Sequence, residues 1–195
     1  MEINIESKTM KRKTVENEKL NTQSENLLSS LHHRDKSGRF SEKGVMELSE
    51  AERKLLLDWL EAETYEDYKG FHVSTNKIKA VYACLYSEEV YACEILTKQG
   101  FDVYLLDEKY VGGKKADAFF KKGKKRNFIE LKHTKDKITR LYNDSIEQAP
   151  CCFIVIDGYM STVQKRNLTD AINKNVNSKE VYVYLKKMDK FLKIK

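Results

Sequence analysis

No apolar run in this sequence approaches the roughly 20 residues that a membrane-spanning helix needs, so a bilayer span is not expected. The opening stretch MEINIESKTMKRK also lacks the apolar centre of a signal peptide. The four cysteines include no CxxC pair, and Cys151 and Cys152 stand side by side at the start of an apolar run. Buried, reduced thiols are therefore expected rather than a disulfide framework. No helix-long repeat is present, and the echo VYAC at Val81–Cys84 and Val90–Cys93 is too short for a duplication. His33-Arg34-Asp35 copies a kinase tripeptide, but no glycine-rich loop or DFG accompanies it. His32 and His33 lack the neighbouring cysteines or acids of a metal site. A cytoplasmic protein is the expectation from these absences, with no membrane partner.

Hydrophobic residues make up 41% of the 195 and charged residues 34%, enough apolar material for one core beneath a heavily charged surface. The formal net charge of +6 is a mild excess that fits a polyanionic partner without requiring one. Three regions follow along the chain. Residues 1–44 are polar and expected to be flexible. Residues 45–86 are expected to form a helical extension: Ser49 and Glu52 make a capping box ahead of Leu55, Leu56, Trp59 and Leu60, and a second helical stretch starts near Thr75. Residues 87–195 read as an α/β core.

In that core a helix runs from Ser87 to Gln99 and stops at Gly100, and a strand covers Phe101–Leu106. Two strands flank the turn at Gly123, and a helix over 137–148 is ended by Pro150, the single proline. Cys151–Ile156 is apolar throughout, as in a strand covered on both faces. A helix over Thr162–Lys174, a strand over Val181–Leu185 and a last short strand at Phe191–Ile194 complete the reading.

The segment GKKADAFFKKGKKRNFIELK carries the chemistry, as Asp117-x12-Glu130-x-Lys132. Alternation in a strand puts Glu130 and Lys132 on one face and Leu131 on the other. Both acids sit among apolar strand residues, where acids are disfavoured without a task. Of the acids on the preceding helix, Glu89 shares a stripe with Ala92, Cys93 and Leu96, whereas Glu94 lies with Val90, Tyr91, Thr97 and Lys98 on a wetter side. Asp117, Glu130 and Glu89 offer the hard oxygens that bind Mg²⁺ or Mn²⁺, with Zn²⁺ as an alternative. Lys132 would orient a nucleophile or stabilise a phosphate transition state. The turn carrying Lys121, Lys122, Lys124, Lys125 and Arg126 would grip backbone phosphates beside the site, or merely solubilise a hairpin tip. His133 is reserved as a phosphate contact.

The order helix, three strands, helix, strand, with KADAFF and FIELK in place, resembles the PD-(D/E)XK nuclease superfamily. More narrowly, it is similar to the C-terminal nuclease domains of contact-dependent growth inhibition toxins, many of which cut tRNA. The resemblance spans about Ser87–Leu185 and departs from the family name at Ala116, which stands where proline is expected. It implies a restriction-endonuclease-like core: a helix, a three-stranded meander, a helix and a strand. It also implies a metal-dependent endonuclease acting on tRNA or DNA, a helix glutamate at Glu89, a phosphate-positioning glutamine at Gln148, and a cognate immunity protein as a partner. With no long delivery region ahead of it, a stand-alone relative or a single domain is expected rather than a complete secreted toxin. The competing expectation is a non-catalytic nucleic-acid-binding or assembly protein of a phage or mobile element.

Overall fold

The computed structural model describes residues 51, 54, 58, 60, 64–107, 110–111, 114–176 and 178–195. The 1–44 segment, the Ser49/Glu52 capping box, Leu55, Leu56, Trp59 and the Gly112-Gly113 turn lie outside the described residues.

The strands are β1 (Tyr65–Tyr68), β2 (Phe71–Ser74), β3 (Asp102–Leu105), β4 (Tyr110–Val111), β5 (Lys114–Lys115), β6 (Ala118–Lys122), β7 (Lys125–Thr134), β8 (Cys151–Ile156), β9 (Glu180–Leu185) and β10 (Lys190–Lys193). The helices among the described residues are α1 (Ile78–Tyr82), α2 (Ser87–Lys98), α3 (Ile138–Ile146) and α4 (Thr162–Lys174). Eight strands form one mixed sheet in the order β1-β2-β3-β6-β7-β8-β9-β10, and β4 pairs with β5 apart from it. The expected meander is β3, β6 and β7, joined antiparallel, with β8 and β9 then added parallel.

Each strand sorts its side chains between two layers. Ile129 and Leu131 of β7 join Phe153 and Val155 of β8 under α2, whose Ala92, Cys93 and Leu96 are buried. The alternate residues Cys152, Ile154 and Ile156 pack with Ile138 and Tyr142 of α3 and Leu168 and Ile172 of α4. All six residues of β8 are buried, which is why that stretch contains no polar position. Ser161 and Gln164 close a reciprocal capping box at the start of α4, with bonds of 3.2 and 2.8 Å.

Two local expectations are corrected. Residues 65–74, within the stretch expected to be helical, form the β1–β2 hairpin, and β2 adds parallel to β3. The helix expected from Thr75 is confined to Ile78–Tyr82, because the Lys77 amide bonds back to the Ser74 carbonyl in a turn and Cys84 takes a φ of +58°. Isolated Leu60 is described, helical and fully buried against Phe119 and Phe128.

Candidate active site

The site forms where the sheet opens. β6 and β7 are paired as far as Ala118 opposite Ile129, and Asp117 is the first residue beyond that pair. Its carbonyl still accepts the Leu106 amide at 2.9 Å, so the backbone stays with β3. Its carboxylate turns to β7 and accepts the Leu131 amide on Oδ2 at 2.8 Å. A side chain thus replaces the missing strand partner and fixes Asp117 against the Glu130-Leu131-Lys132 backbone.

Glu130 is only 1% exposed, on the face that β8 fills with Cys152. Lys132 donates a hydrogen bond to Glu130 Oε1 and stands 4.0 Å from Asp117 Oδ2. Glu130 Oε2 is buried with no hydrogen-bond partner. Burial, then the neighbouring Asp117 charge, outweigh Lys132 and push the Glu130 carboxyl up to about 8. Burial opposes the charge on Lys132, but the two carboxylates more than offset it and hold that ammonium above its ordinary value.

Glu89 enters from the first turn of α2. Its Oε2 receives the Lys77 ammonium at 2.7 Å, and Lys77 is itself 3% exposed, with its nitrogen 3.9 Å from the centre of the Tyr86 ring. Burial raises the Glu89 pKa, Lys77 pulls it back, and the charge on Asp117 raises it further. Glu94 lies apart and pairs with Lys69 at 2.8 Å. Val90, expected on the wetter side with Glu94, is buried, because α2 is covered by β3 and β7 over a wide arc. Glu89, Asp117, Lys132 and His133 share the walls of one cleft of about 440 Å³, with Leu85 and Tyr86 at its edge.

Lys77 was not singled out from the sequence, although a signal was there. It precedes Ile78 and lies four residues before Val81, so it sits on the buried stripe of α1, where a lysine needs an acid partner.

Gln148 follows α3 half-buried, and its amide donates to the Asp144 carbonyl at 3.5 Å rather than to the acids. The basic tip is a two-residue turn, Gly123-Lys124, with Gly123 at φ +60°. It stands at the opposite end of the hairpin from Asp117, so it does not flank the site as expected. Lys125 is about 17 Å along β7 from Glu130, at ~3.4 Å per residue. Its cations are largely engaged within the protein. Lys121 reaches the Tyr104 hydroxyl at 2.9 Å, Lys122 the Gln99 carbonyl at 3.0 Å, Lys125 Glu180 at 2.6 Å and Arg126 Asp58 at 3.3 Å. A wider depression of about 1140 Å³ lies there, lined by Lys124, Lys125, Arg126 and Lys179, but it contains none of the three acids. The cleft beside Asp117 is the better candidate for chemistry, because only there do acids, a charged lysine and an unpartnered carboxylate oxygen converge. Phe119, Phe120 and Phe128 are buried in the core, as expected of them.

The donor set fits a hard divalent cation in part. Glu130 Oε2 is an orphaned buried oxygen that an ion would satisfy, and Asp117 keeps Oδ1 beyond its bond to Leu131. Among the described residues no three His, Cys, Asp or Glu side chains are grouped as a full protein shell. Two carboxylates are the usual protein share for Mg²⁺, which keeps several waters. Also among the described residues, no helix is long and apolar enough to cross a membrane. Searches against protein-family models, curated proteins and solved structures find no match for this chain.

Proposed function

We propose that the protein is a divalent-metal-dependent endonuclease with a restriction-endonuclease-like core, hydrolysing phosphodiester bonds in RNA or DNA. The observation that carries this reading is the unpartnered, buried Glu130 Oε2 beside Asp117 and the charged Lys132. Burying an acid without a partner is costly, and a binding surface for phosphates gains nothing from acids. Glu130 and Asp117 are the residues that would hold the cation, with Glu89 on the facing helix within reach of a water-mediated contact. When bound, a divalent cation lowers the pKa of a coordinated water and offsets charge growing on the phosphate.

The chain's own residues supply the rest. Lys132, kept charged by its two acids, can hold the attacking water or a phosphate oxygen in place. Asp117 is locked by the Leu131 amide, so it needs no reorganisation as the substrate arrives. Lys77 keeps the Glu89 carboxylate turned toward the cleft. tRNA is the first substrate to try, on the toxin resemblance.

The test incubates the protein with tRNA, single-stranded DNA and duplex DNA, with Mg²⁺ or Mn²⁺ and in excess chelator. Metal-dependent cleavage, lost in Glu130→Gln with binding retained, supports the proposal. Binding without cleavage under every condition would instead establish a non-catalytic nucleic-acid-binding protein.

A further inference from the structure

We infer that His133 is a substrate contact of this cleft, donating from Nδ1 to a backbone phosphate, with Asp157 holding its ring and Glu88 standing where the phosphate binds. The inference rests on the nuclease reading for its ligand, a phosphodiester backbone.

His133 follows Lys132 on β7, so its side chain leaves the opposite face of the strand, toward α2. Its Nε2 is 2.8 Å from Asp157 Oδ1, at the end of β8. Asp157 is itself fixed. Its amide donates to the Thr134 carbonyl at 3.0 Å and its carboxylate receives Lys186 at 3.4 Å. The bond from His133 is also the main cause of the lowered Asp157 pKa, so the carboxylate accepts and Nε2 carries the proton. The Tyr91 ring lies nearly parallel to the imidazole, with centroids 6.5 Å apart. The ring is therefore oriented from both sides.

The other nitrogen has no such arrangement. Nδ1 is buried and makes no hydrogen bond. The charged group facing it is Glu88 Oε1 at 3.5 Å, close enough for attraction but without hydrogen-bond geometry, on a side chain that is 72% exposed. A buried ring nitrogen on the wall of a polar cleft, facing a loosely held acceptor, is poised for a better acceptor. A phosphate oxygen is that acceptor, and an exposed glutamate in the first turn of a helix can swing aside for it. The neighbourhood favours an anion at this point. Lys132 lies on the same cleft wall, and the amides that open α2 have no side-chain cap. Glu88 thus excludes stray anions until a polyanion with several contacts displaces it.

The experiment titrates fluorescein-labelled tRNA, single-stranded DNA and duplex DNA by anisotropy in excess chelator, where cleavage does not interfere. His133→Ala should weaken the best-bound probe roughly tenfold, the scale of one hydrogen bond to a charged group. The slope against log salt should shrink by about 0.7 to 0.9. His133→Asn, which can place an amide nitrogen near the Nδ1 position, should recover much of that affinity, and Glu88→Gln should bind more tightly than wild type. Unfolding midpoints in urea check that each variant is folded. Unchanged binding in His133→Ala, weaker binding in Glu88→Gln, or no binding of any probe by the wild type overturns the inference. The nuclease reading fails separately, through undiminished cleavage by Glu130→Gln, and the two results do not depend on each other.

Discussion

Raising the pH should destabilise this protein through one carboxyl group. Glu130 moves from an ordinary 4.5 to about 8 in the folded chain. Below pH 4.5 the group is protonated whether the chain is folded or not. Between these values the unfolded chain releases the proton and the folded chain keeps it, so stability is lost as pH rises, and the loss levels off above about 8. At ~1.36 kcal/mol per unit the full penalty reaches up to about 5 kcal/mol, a large share of a typical domain's stability. Glu89 is shifted in the same direction and adds to the slope. Asp157 and Glu180 are shifted downward, so their contributions are lost only as the pH falls into the acid range below this window. Urea unfolding at pH 5 and pH 8.5 reads the effect. Wild type should lose several kcal/mol between the two, and Glu130→Gln, which cannot ionise, should lose much less. Mg²⁺ should restore wild-type stability more at pH 8.5 than at pH 5, because it favours the ionised acid, and should do little for the variant. Parallel pH dependences in the two proteins would refute the assignment of a strained, ion-ready carboxyl at Glu130.

Glu89→Ala should reduce cleavage by at least tenfold while Glu94→Ala, which removes only a surface pair with Lys69, leaves it near wild type; equal losses in single-turnover assays would count against the role given to Glu89. Lys77→Met should lower stability by about 1–3 kcal/mol, since it leaves Glu89 without its buried partner. The deficit should be larger at pH 8.5 than at pH 5, as thermal melts would show. Changing Lys121, Lys122, Lys124, Lys125 and Arg126 together to Gln should flatten the salt dependence of binding by about 0.7 to 0.9 for every phosphate no longer neutralised. A salt slope at the wild-type value would leave these cations with their internal partners alone.

Local chemistry was legible where a residue's neighbours in sequence are also its neighbours in space. The stripe Glu89, Ala92, Cys93, Leu96 identified the buried face of α2, and the apolar run Cys151–Ile156 identified a strand covered on both sides. Asp117 and Glu130 stood out because each interrupts apolar strand residues. The order of β3, β6 and β7 followed from turns at known places. Less accessible was anything settled by distant pairing. Tyr65-Glu-Asp-Tyr68 has no clear alternation, and it becomes a strand because β2 finds β3 some 30 residues on, as His72 opposite Tyr104. Lys125 has its partner Glu180 55 positions away, so a run of cations in the sequence reads as free charge when much of it is tied down. Lys77 and Glu89 meet because a short helix and a turn fold back over the start of α2, a geometry that no single period encodes.

The β6–β7 ribbon also governs how this protein can change length. Its tip projects past the paired strands, so residues added at Gly123-Lys124 extend a loop and leave the pairing of Ala118 with Ile129 intact. A single residue gained or lost between Lys125 and Glu130 has another result. It exchanges the two faces of the strand, turning Leu131 toward the acids and driving a carboxylate into the apolar layer beneath α2. Length variation in this hairpin is therefore quantised, free at the tip and confined to steps of two within the strand.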